Sequence, residues 1–266
     1  MDKMVSIVTI SYNEQERIRK TIDSVINQSI FGRSIEYIII DGGSTDLTVP
    51  IIREYINKID YFISEPDLGI YHAMNKGIQK AHGDYVLFLN SGDILYNNKV
   101  IEKILPYLET LDVDILFANG INNVYNTLHP LPFSKKNRIA PEMFFLNTSI
   151  CHQAEFIRLT LFKTVGLYDL SYKIIADHVF NYIAFFKYHC SWYFVDEIVA
   201  LVDIYGISSK DTECLRKERK RMYREVASPK VKLVISIMRT AYRVREIFND
   251  LYCKIRRVKR VLLRGR

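Results

Sequence analysis

Val5-Ser6-Ile7-Val8-Thr9-Ile10-Ser11-Tyr12-Asn13 begins as a run of β-branched residues and ends in three polar ones. Apolar residues in this run hardly alternate with polar ones, which is typical of a strand that is buried on both faces. A helical pattern follows, with Ile18, Ile22 and Val25 on one face. Together these patterns predict the first strand and the first helix of a parallel sheet.

The same alternation of strand and helix continues through the first hundred residues. Three further apolar runs have strand character, at residues 35–40, 61–63 and 85–89. The helical patterns between them begin after Thr45, which is predicted to cap the second helix, and at Ile70. Continuous apolar strands separated by amphipathic helices predict an α/β fold, with a Rossmann-like, mostly parallel sheet and helices on both faces.

Each of the four predicted strands ends in a polar, turn-forming cluster. The clusters are Ser11-Tyr12-Asn13, Asp41-Gly42-Gly43, Glu65-Pro66-Asp67 and Asn90-Ser91-Gly92-Asp93. Ligands of open parallel sheets bind beyond the carboxyl ends of the strands, so we expect the four clusters to form one pocket. Asp41 or Asp93 alone would be an ordinary turn former, and it is their common position that favours a functional role.

The later part of the chain has a less regular pattern. Residues 151–157 predict a strand, residues 177–188 an amphipathic helix, and residues 192–202 a strand with aromatic residues. Asp177 is by itself an ordinary residue for a helix N-terminus, and His152 by itself fits a half-buried strand as well as it fits a binding site.

Composition and motifs exclude several classes of protein. Of the 266 residues 48% are hydrophobic and 25% are charged, which argues against disorder, collagen and coiled coil. No GxxxxGK[ST] or GxGxxG motif follows the first strand, so the sequence lacks the signatures of P-loop and dinucleotide-binding folds. The four cysteines contain no CxxC pair, and the first residues do not resemble a signal peptide. We therefore expect a cytoplasmic protein without a zinc site or a disulfide framework.

The charge is divided unevenly along the chain. Residues 215–266 contain 18 Lys and Arg against 4 Asp and Glu, a net charge of +14, which leaves −7 for residues 1–214. Apolar residues recur in this tail every three or four positions, from Val234 to Leu262. This pattern predicts a basic amphipathic helix that binds the membrane surface. A helix packed against the body or against a second subunit is the alternative, and the large apolar residues disfavour nucleic acid.

Five motifs in the first 95 residues carry a resemblance to a known family. They are Ser6 to Glu14, Ile39 to Asp46, Ser64 to Tyr71, Ala73 to Gly77 and Phe88 to Asp93. In their order and spacing they resemble the family 2 glycosyltransferases of GT-A fold, and especially members that assemble O-antigen, capsule or exopolysaccharide. A looser likeness extends through Cys151-His152-Gln153 and residues 173–177 to Gly206.

The resemblance implies an activity and a domain organisation. The activity is inverting transfer of a sugar from a nucleotide-diphosphate donor, a UDP-sugar by preference, to a hydroxyl of a lipid-linked oligosaccharide in surface polysaccharide biosynthesis. Residues 1–118 would bind the nucleotide-sugar, residues 119–210 the acceptor, and residues 211–266 would form the basic helical tail. Such an enzyme would work at the inner face of the cell membrane.

The resemblance also assigns roles to individual residues. Asp177 matches the catalytic base, and Asp93 matches the last carboxylate of the metal-binding motif, with Mg²⁺ or Mn²⁺ as cofactor. His152 and Gln153 would line the acceptor side. The donor would contact Ser11, Tyr12, Asn13, Glu14, Asp41, Asp67, Asn75 and Ser91.

Three departures from the family pattern leave alternatives open. Gly42 stands where many members carry a second aspartate, and His72 stands where an aspartate is common. Asn90 and Gly92 replace common carboxylates, so a cation would depend on Asp93 and on the donor diphosphate. A catalytically impaired, membrane-associated scaffold is therefore one alternative. A sugar-nucleotide pyrophosphorylase is another, although the basic, Gly-rich loop that it needs after the first strand is missing.

Overall fold

A computed structural model describes residues 5–122, 127–128, 150–203, 212–230, 232–233 and 236–237. The chain forms two compact units, residues 1–221 and residues 222–266. The apolar stripe predicted from Val234 to Leu262 lies outside the described residues, as does most of the segment from 123 to 149. The first unit therefore contains all the predicted site residues.

The first unit is an α/β domain, as predicted. Its strands are β1 (Val5–Ser11), β2 (Ile35–Asp41), β3 (Tyr61–Ser64), β4 (Tyr85–Phe88), β5 (Ile94–Leu95), β6 (Ile115–Asn122), β7 (Thr127–Leu128), β8 (Glu155–Arg158) and β9 (Trp192–Val202). Its helices are α1 (Ile18–Ile26), α2 (Thr48–Arg53), α3 (Ile70–Lys80), α4 (Val100–Leu111), α5 (Leu161–Val165) and α6 (Ala176–Phe186). Helix α7 (Thr212–Glu225) begins in this unit and ends in the second.

The sheet has the order β3-β2-β1-β4-β8-β6-β9-β5, with β7 paired to β6. Strands β3, β2, β1 and β4 are all parallel, and Val5 is in register with both Ile35 and Tyr85. Strand β8 is antiparallel to its neighbours β4 and β6. The carboxyl ends of the first four strands consequently meet at one edge, beside the amino end of β8.

Helices cover both faces of the sheet, which confirms the predicted layering. On one face Ile18 and Ile22 of α1 pack with Ile101 and Ile104 of α4 in a fully buried cluster. On the other face α3 lies so close to β1 that a Cβ on Gly77 would be 2.4 Å from Val8 Cγ1. Only glycine at position 77 permits this approach, and it brings Tyr71 at the start of α3 towards the sheet edge.

The segment from Cys151 to Ile157 differs from the predicted continuous strand. His152–Ala154 form a 3₁₀ turn, closed by a bond from Ala154 N–H to Cys151 O at 3.0 Å, and the strand begins only at Glu155. Strand periodicity would place His152 and Gln153 on opposite faces, whereas the turn permits both to lie at the sheet edge.

Two elements between residues 93 and 114 have no counterpart in the sequence-based prediction. They are the short strand β5 and the helix α4, which contains Pro106. Proline inside a helix removes one hydrogen bond and normally indicates an interruption. Burial of Ile101, Ile104 and Leu108 on one face overrides this penalty.

Candidate active site

Backbone hydrogen bonds continue past the ends of the strands and hold the polar clusters side by side. Gly42 N–H donates to Ser11 O at 2.9 Å, Ser91 N–H to Ile10 O at 3.0 Å, and Glu65 N–H to Asp41 O at 3.0 Å. The four clusters thus line one edge of the sheet. The convergence expected from the parallel topology is present.

Asp41 is completely buried at the centre of this edge. Its carboxylate accepts five hydrogen bonds: from Ser11 Oγ, Gly43 N, Ser44 N, Ser44 Oγ and Ser64 Oγ, at 2.5 to 3.1 Å. A carboxylate offers about four lone-pair directions, so the capacity of this one is used up by the protein. Asp41 fixes the ends of β1, β2 and β3, and its predicted contact with base or ribose stays a prediction.

Tyr12 and Asp67 flank Gly42 at the rim of the edge. The side chain of Tyr12 is 59% exposed. A Cβ on Gly42 would lie 2.6 Å from Asp67 Oδ2 and 3.4 Å from Tyr12 Cδ2. The carboxylate of Asp67 therefore occupies the space that a second aspartate at position 42 would need, which gives a physical reason for the departure from the family pattern.

Asn13 and Glu14 tie the loop after β1 to its neighbours. Asn13 has a left-handed backbone (φ 54°), and its Oδ1 accepts a bond from Thr45 N–H at 2.9 Å. Glu14 forms two bonds of 2.6 Å with the guanidinium of Arg17. Arg17 Nη1 in turn lies 3.1 Å from Asp203 Oδ2. These contacts hold both predicted donor residues in place after β1.

Arg17 and Asp203 are site residues that sequence reasoning missed. A Cβ on Gly92 would lie 3.1 Å from Asp203 Oδ2 and 3.5 Å from Arg17 Cδ, so these two side chains fill the place of the missing carboxylate at position 92. The hydrogen bond with Glu14 raises the pKa of Arg17, and the negative charges of Glu14 and Asp203 add to this effect. Burial acts in the opposite direction. The pairing of Glu14 with Arg17 could have been predicted from their spacing in the sequence. The pairing of Arg17 with Asp203 could not, because 186 residues separate the two.

Asn75 and Ser91 differ in what their side chains contact. The amide of Asn75 pairs with the backbone of Tyr168, donating to its carbonyl at 2.9 Å and accepting from its N–H at 3.0 Å. Asn75 therefore fixes the loop before α6. The Oγ of Ser91 and the Oδ1 of Asn90 are buried and have no hydrogen-bond partner among the described residues. Both oxygens are acceptors to which the described residues donate no hydrogen bond.

Asp93 lies behind the edge and is 4% exposed. Its oxygens accept bonds from Asp203 N–H at 2.8 Å and from Gln153 Nε2 at 2.9 Å. Burial raises the pKa of Asp93 to about 6, although these two bonds oppose the shift. Within the described ranges no group of three or more His, Cys, Asp or Glu side chains could hold a metal ion. A cation at Asp93 would therefore need further ligands from the donor diphosphate.

Asp177 is a partly exposed carboxylate at this edge, bonded to the hydroxyl of Tyr71. Its Oδ1 accepts a bond from Tyr71 Oη at 2.6 Å, and its Oδ2 lies 3.4 Å from His152 Nδ1. Burial acts to raise the pKa of Asp177, but the bond and charge of His152 and the bond from Tyr71 hold it below the ordinary value. With its side chain 14% exposed, Asp177 is an ionised and accessible proton acceptor.

His152 connects Asp177 to the end of β4. Asn90 Nδ2 lies 3.1 Å from His152 Nε2. If Asn90 donates there, Nε2 accepts and Nδ1 carries the proton towards Asp177, a tautomer assigned from the hydrogen-bond pattern. Burial acts to lower the pKa of His152, but the bond to Asp177 and the charges of Asp177, Asp93 and Glu155 raise it. The structure thus joins Asn90, His152, Asp177 and Tyr71 in one chain of contacts.

A model of the family "Glycosyl transferase family 2" matches residues 6–165. The match covers more than half of the chain, and it includes the strand-end clusters and His152. The chain therefore belongs to glycosyl transferase family 2, which confirms the resemblance drawn from the sequence motifs.

Curated relatives are also named glycosyltransferases. An uncharacterized glycosyltransferase of Mycobacterium tuberculosis is 36% identical over 180 residues, which are 66% of this chain and 66% of that protein. A PGL/p-HBAD biosynthesis glycosyltransferase of Mycobacterium bovis is 30% identical over 182 residues, 67% of this chain and 68% of that protein. The chain thus spans about two thirds of the length of these relatives. These similarities confirm the glycosyltransferase class.

Solved structures confirm the GT-A fold. The S. aureus TarS fragment 1-349 in complex with UDP superimposes with a TM-score of 0.63 at 22% identity, covering 82% of this chain and 64% of that one. The mannosyltransferase PcManGT from Pyrobaculum calidifontis, in complex with GDP-Man and Mn²⁺, has a TM-score of 0.59 at 14% identity, covering 86% and 67%. At these identities the likeness is one of fold.

Proposed function

We propose that the protein is an inverting glycosyltransferase that moves one sugar from a UDP-sugar to a hydroxyl of a lipid-linked oligosaccharide. The observation that carries this proposal is Asp177, an accessible carboxylate held between Tyr71 and His152 at the edge where the strand ends meet. A base at this place is what an inverting transfer requires, because the acceptor hydroxyl must lose its proton as it attacks.

The proposed reaction is a single displacement at the anomeric carbon. Asp177 takes the proton from the acceptor hydroxyl while the hydroxyl oxygen forms its bond to the anomeric carbon. The bond from that carbon to the diphosphate oxygen breaks, and its electron pair leaves with the nucleoside diphosphate. His152 stabilises the ionised form of Asp177 until transfer, since its Nδ1 faces Oδ2. General-base catalysis of this kind contributes about 10²- to 10⁴-fold.

The donor is proposed to occupy the strand ends. Tyr12 presents an exposed ring on which a base can stack, and Asp67 lies beside it next to Gly42. The unpaired oxygens of Asn90 and Ser91 suit the hydroxyl groups of a ribose or a sugar. UDP is preferred as the nucleotide because solved TarS structures contain UDP and UDP-GlcNAc.

A thermal-shift screen of UDP-, GDP- and dTDP-sugars tests the choice of donor. Ligands stabilise the folded state by mass action, so UDP-sugars are expected to raise the melting temperature more than GDP- or dTDP-sugars do. A larger rise with a GDP-sugar would reassign the nucleotide. The Tyr12→Ala variant is the matched control, because it should weaken every response of this pocket.

Divalent metal dependence stays a prediction for this chain. PcManGT contains Mn²⁺ in its solved structure, but here Asp93 is buried with both oxygens bonded to protein groups. Mg²⁺ or Mn²⁺ would therefore have to bind together with the donor diphosphate, where such an ion neutralises leaving-group charge. Thermal shift with the donor in EDTA, Mg²⁺ and Mn²⁺ measures this directly. Equal donor binding in EDTA would remove the cation from the proposal.

The lipid-linked acceptor and the membrane are proposed on the basis of the tail. Residues 215–266 carry a net charge of +14, which attracts anionic lipid, at the inner face of the cell membrane in our proposal. No helix in the described part of the chain has the length and hydropathy to cross a bilayer. The full chain should sediment with anionic vesicles and not with neutral ones. Replacing Arg256, Arg257, Lys259 and Arg260 by glutamate should abolish this binding.

The scaffold alternative rests on Asn90 and Gly92, which stand in place of family carboxylates. UDP release from a UDP-sugar, measured with and without a hydroxyl acceptor, separates the two proposals. Release that rises with acceptor supports transfer, whereas donor binding without release in any metal supports the scaffold. The family match leaves the pyrophosphorylase alternative without support.

A further inference from the structure

The helix that carries Asp177 begins without a side-chain cap of its own. The residue before its first turn is Ile175, and Asp177 lies within that turn. The position of Asp177 therefore depends on whatever holds the preceding segment, residues 171–175, which we call the base loop. Its contacts come from two elements that are distant in sequence.

Glu218 of α7 holds the second half of the base loop. Its buried carboxylate accepts three consecutive backbone N–H groups, from Lys173 at 2.6 Å, Ile174 at 3.0 Å and Ile175 at 3.2 Å. Bonds from backbone N–H groups to an ionised acceptor are stronger than neutral ones. Without Glu218 three adjacent donors would lose this acceptor, and the loop would be free to rearrange.

Arg221, one turn further along α7, holds the first half of the base loop. Its guanidinium donates to Ser171 O at 3.1 Å and to Ser171 Oγ at 2.9 Å. It also lies 4.2 Å from the centre of the Tyr172 ring. Residues three apart on a helix share one face, so Glu218 and Arg221 form a single clamp within the first unit.

Tyr71 contacts the base loop from the other side. Its hydroxyl oxygen lies 2.7 Å from Ile174 O and 2.6 Å from Asp177 Oδ1. Ile174 is thus held through its N–H by Glu218, and its carbonyl shares the single hydroxyl proton of Tyr71 with Asp177 Oδ1. A shift of this residue would disturb the bond from Tyr71 to the carboxylate of Asp177.

We propose that Glu218 is a positioning residue for the base, fixing the base loop so that Asp177 meets Tyr71 and His152. This inference rests on the proposed function of Asp177. Residue 218 lies outside residues 6–165, so the family match assigns it nothing. The helix that leads into the basic tail accordingly contributes to the chemistry as well as to the proposed membrane contact.

The test compares full-length Glu218→Ala and Glu218→Gln with Glu213→Gln. Glu213 is on the same helix but is exposed, and it forms an ion pair with Lys217. Its substitution therefore controls for the loss of a carboxylate from this helix. UDP release is measured with the UDP-sugar that gives the largest thermal shift. We expect kcat to fall about 10- to 100-fold in Glu218→Ala, less in Glu218→Gln, with the donor KM within about twofold. Glu213→Gln should match the parent chain.

A second readout needs no turnover. The pKa of His152, followed by NMR of its ring proton, is raised by Asp177, so it should fall in Glu218→Ala if the base moves away. In an Asp177→Asn background, Glu218→Ala should cause no further loss of rate, whereas a general destabilisation would add one.

The outcomes separate this inference from the proposed function. Unchanged kcat and unchanged His152 pKa in Glu218→Ala overturn the positioning role, as does an equal loss of donor binding and turnover. Retained turnover in Asp177→Asn overturns the proposed function instead. If Glu218→Ala does not fold, Glu218→Gln decides, because it keeps the side-chain size and one acceptor oxygen.

Discussion

Two aspartates at the same edge of the sheet, Asp41 and Asp177, have opposite surroundings. Asp41 is fully buried and accepts five hydrogen bonds from the protein. Asp177 is partly exposed, with Tyr71 on one oxygen and His152 near the other. The first carboxylate has no remaining capacity and fixes loops. The second retains lone pairs and access, so only it is equipped to accept a proton.

The largest effect that would test this difference is loss of the base. Asp177→Asn keeps the shape of the side chain but cannot accept a proton, so kcat should fall about 10²- to 10⁴-fold. Donor binding, measured by thermal shift, should not change, because the proposed donor contacts lie at the ends of β1 to β4. Turnover within tenfold of the parent chain would contradict the assignment.

The same substitution at Asp41 should act on stability instead. Asp41→Asn removes a charge from five donors and places an amide N–H₂ among them, which should cost about 2 to 4 kcal/mol in the free energy of unfolding. Urea denaturation measures this cost. Asp46→Asn on the neighbouring loop is the control, and an equal effect there would deny Asp41 its central structural role.

Tyr12 sharpens the contrast between binding and stability. Tyr12→Ala should change the free energy of unfolding by less than about 0.5 kcal/mol, since the ring is exposed. Loss of base stacking should weaken donor binding by about 1 to 3 kcal/mol, measured by titration calorimetry. Tyr12→Phe keeps the ring and should bind as the parent chain does. Weaker binding by Tyr12→Phe would point to the hydroxyl instead of stacking.

The smallest effect concerns pH. His152→Ala removes the group that most lowers the pKa of Asp177, while burial still raises it, so the acid limb of the kcat profile should move to higher pH.

The same two groups make the stability of the fold depend on pH. The lowered pKa of Asp177 stabilises the folded state above the ordinary carboxyl pKa, and this contribution is lost as pH falls through the pKa of Asp177 in the folded state. The raised pKa of His152 adds stability below the ordinary imidazole pKa, and this is lost as pH rises through the folded value.

The profile of His82→Ala serves as the control for this shift. His82 is an exposed histidine that pairs with Glu36 at the opposite edge of the sheet. Its removal should leave the acid limb in place. An unchanged limb in His152→Ala would mean that Asp177 is not the group that titrates in the rate profile.

Local pattern was sufficient for the first four strands and for the meeting of their ends. Where contacts across the sheet compete with local preference, the local pattern was not sufficient to predict the structure. Thr45, predicted as the cap of α2, instead donates its N–H to Asn13, and the helix begins at Thr48 with Asp46 Oδ1 accepting the Thr48 N–H. The bond between the two loops outweighs the capping preference of one threonine.

The sequence by itself determined the α/β fold, the meeting of Asp41 and Asp93 at the strand ends and, through the family resemblance alone, the prediction of Asp177 as base. Strand periodicity and the polar residues after each strand are local properties, so they can be predicted without coordinates. Only the tertiary structure decided what each carboxylate does. Partners such as Gln153 for Asp93, and Tyr71 for Asp177, lie 60 and 106 residues away. Burial and bonding by distant groups set whether a carboxylate fixes loops or takes a proton.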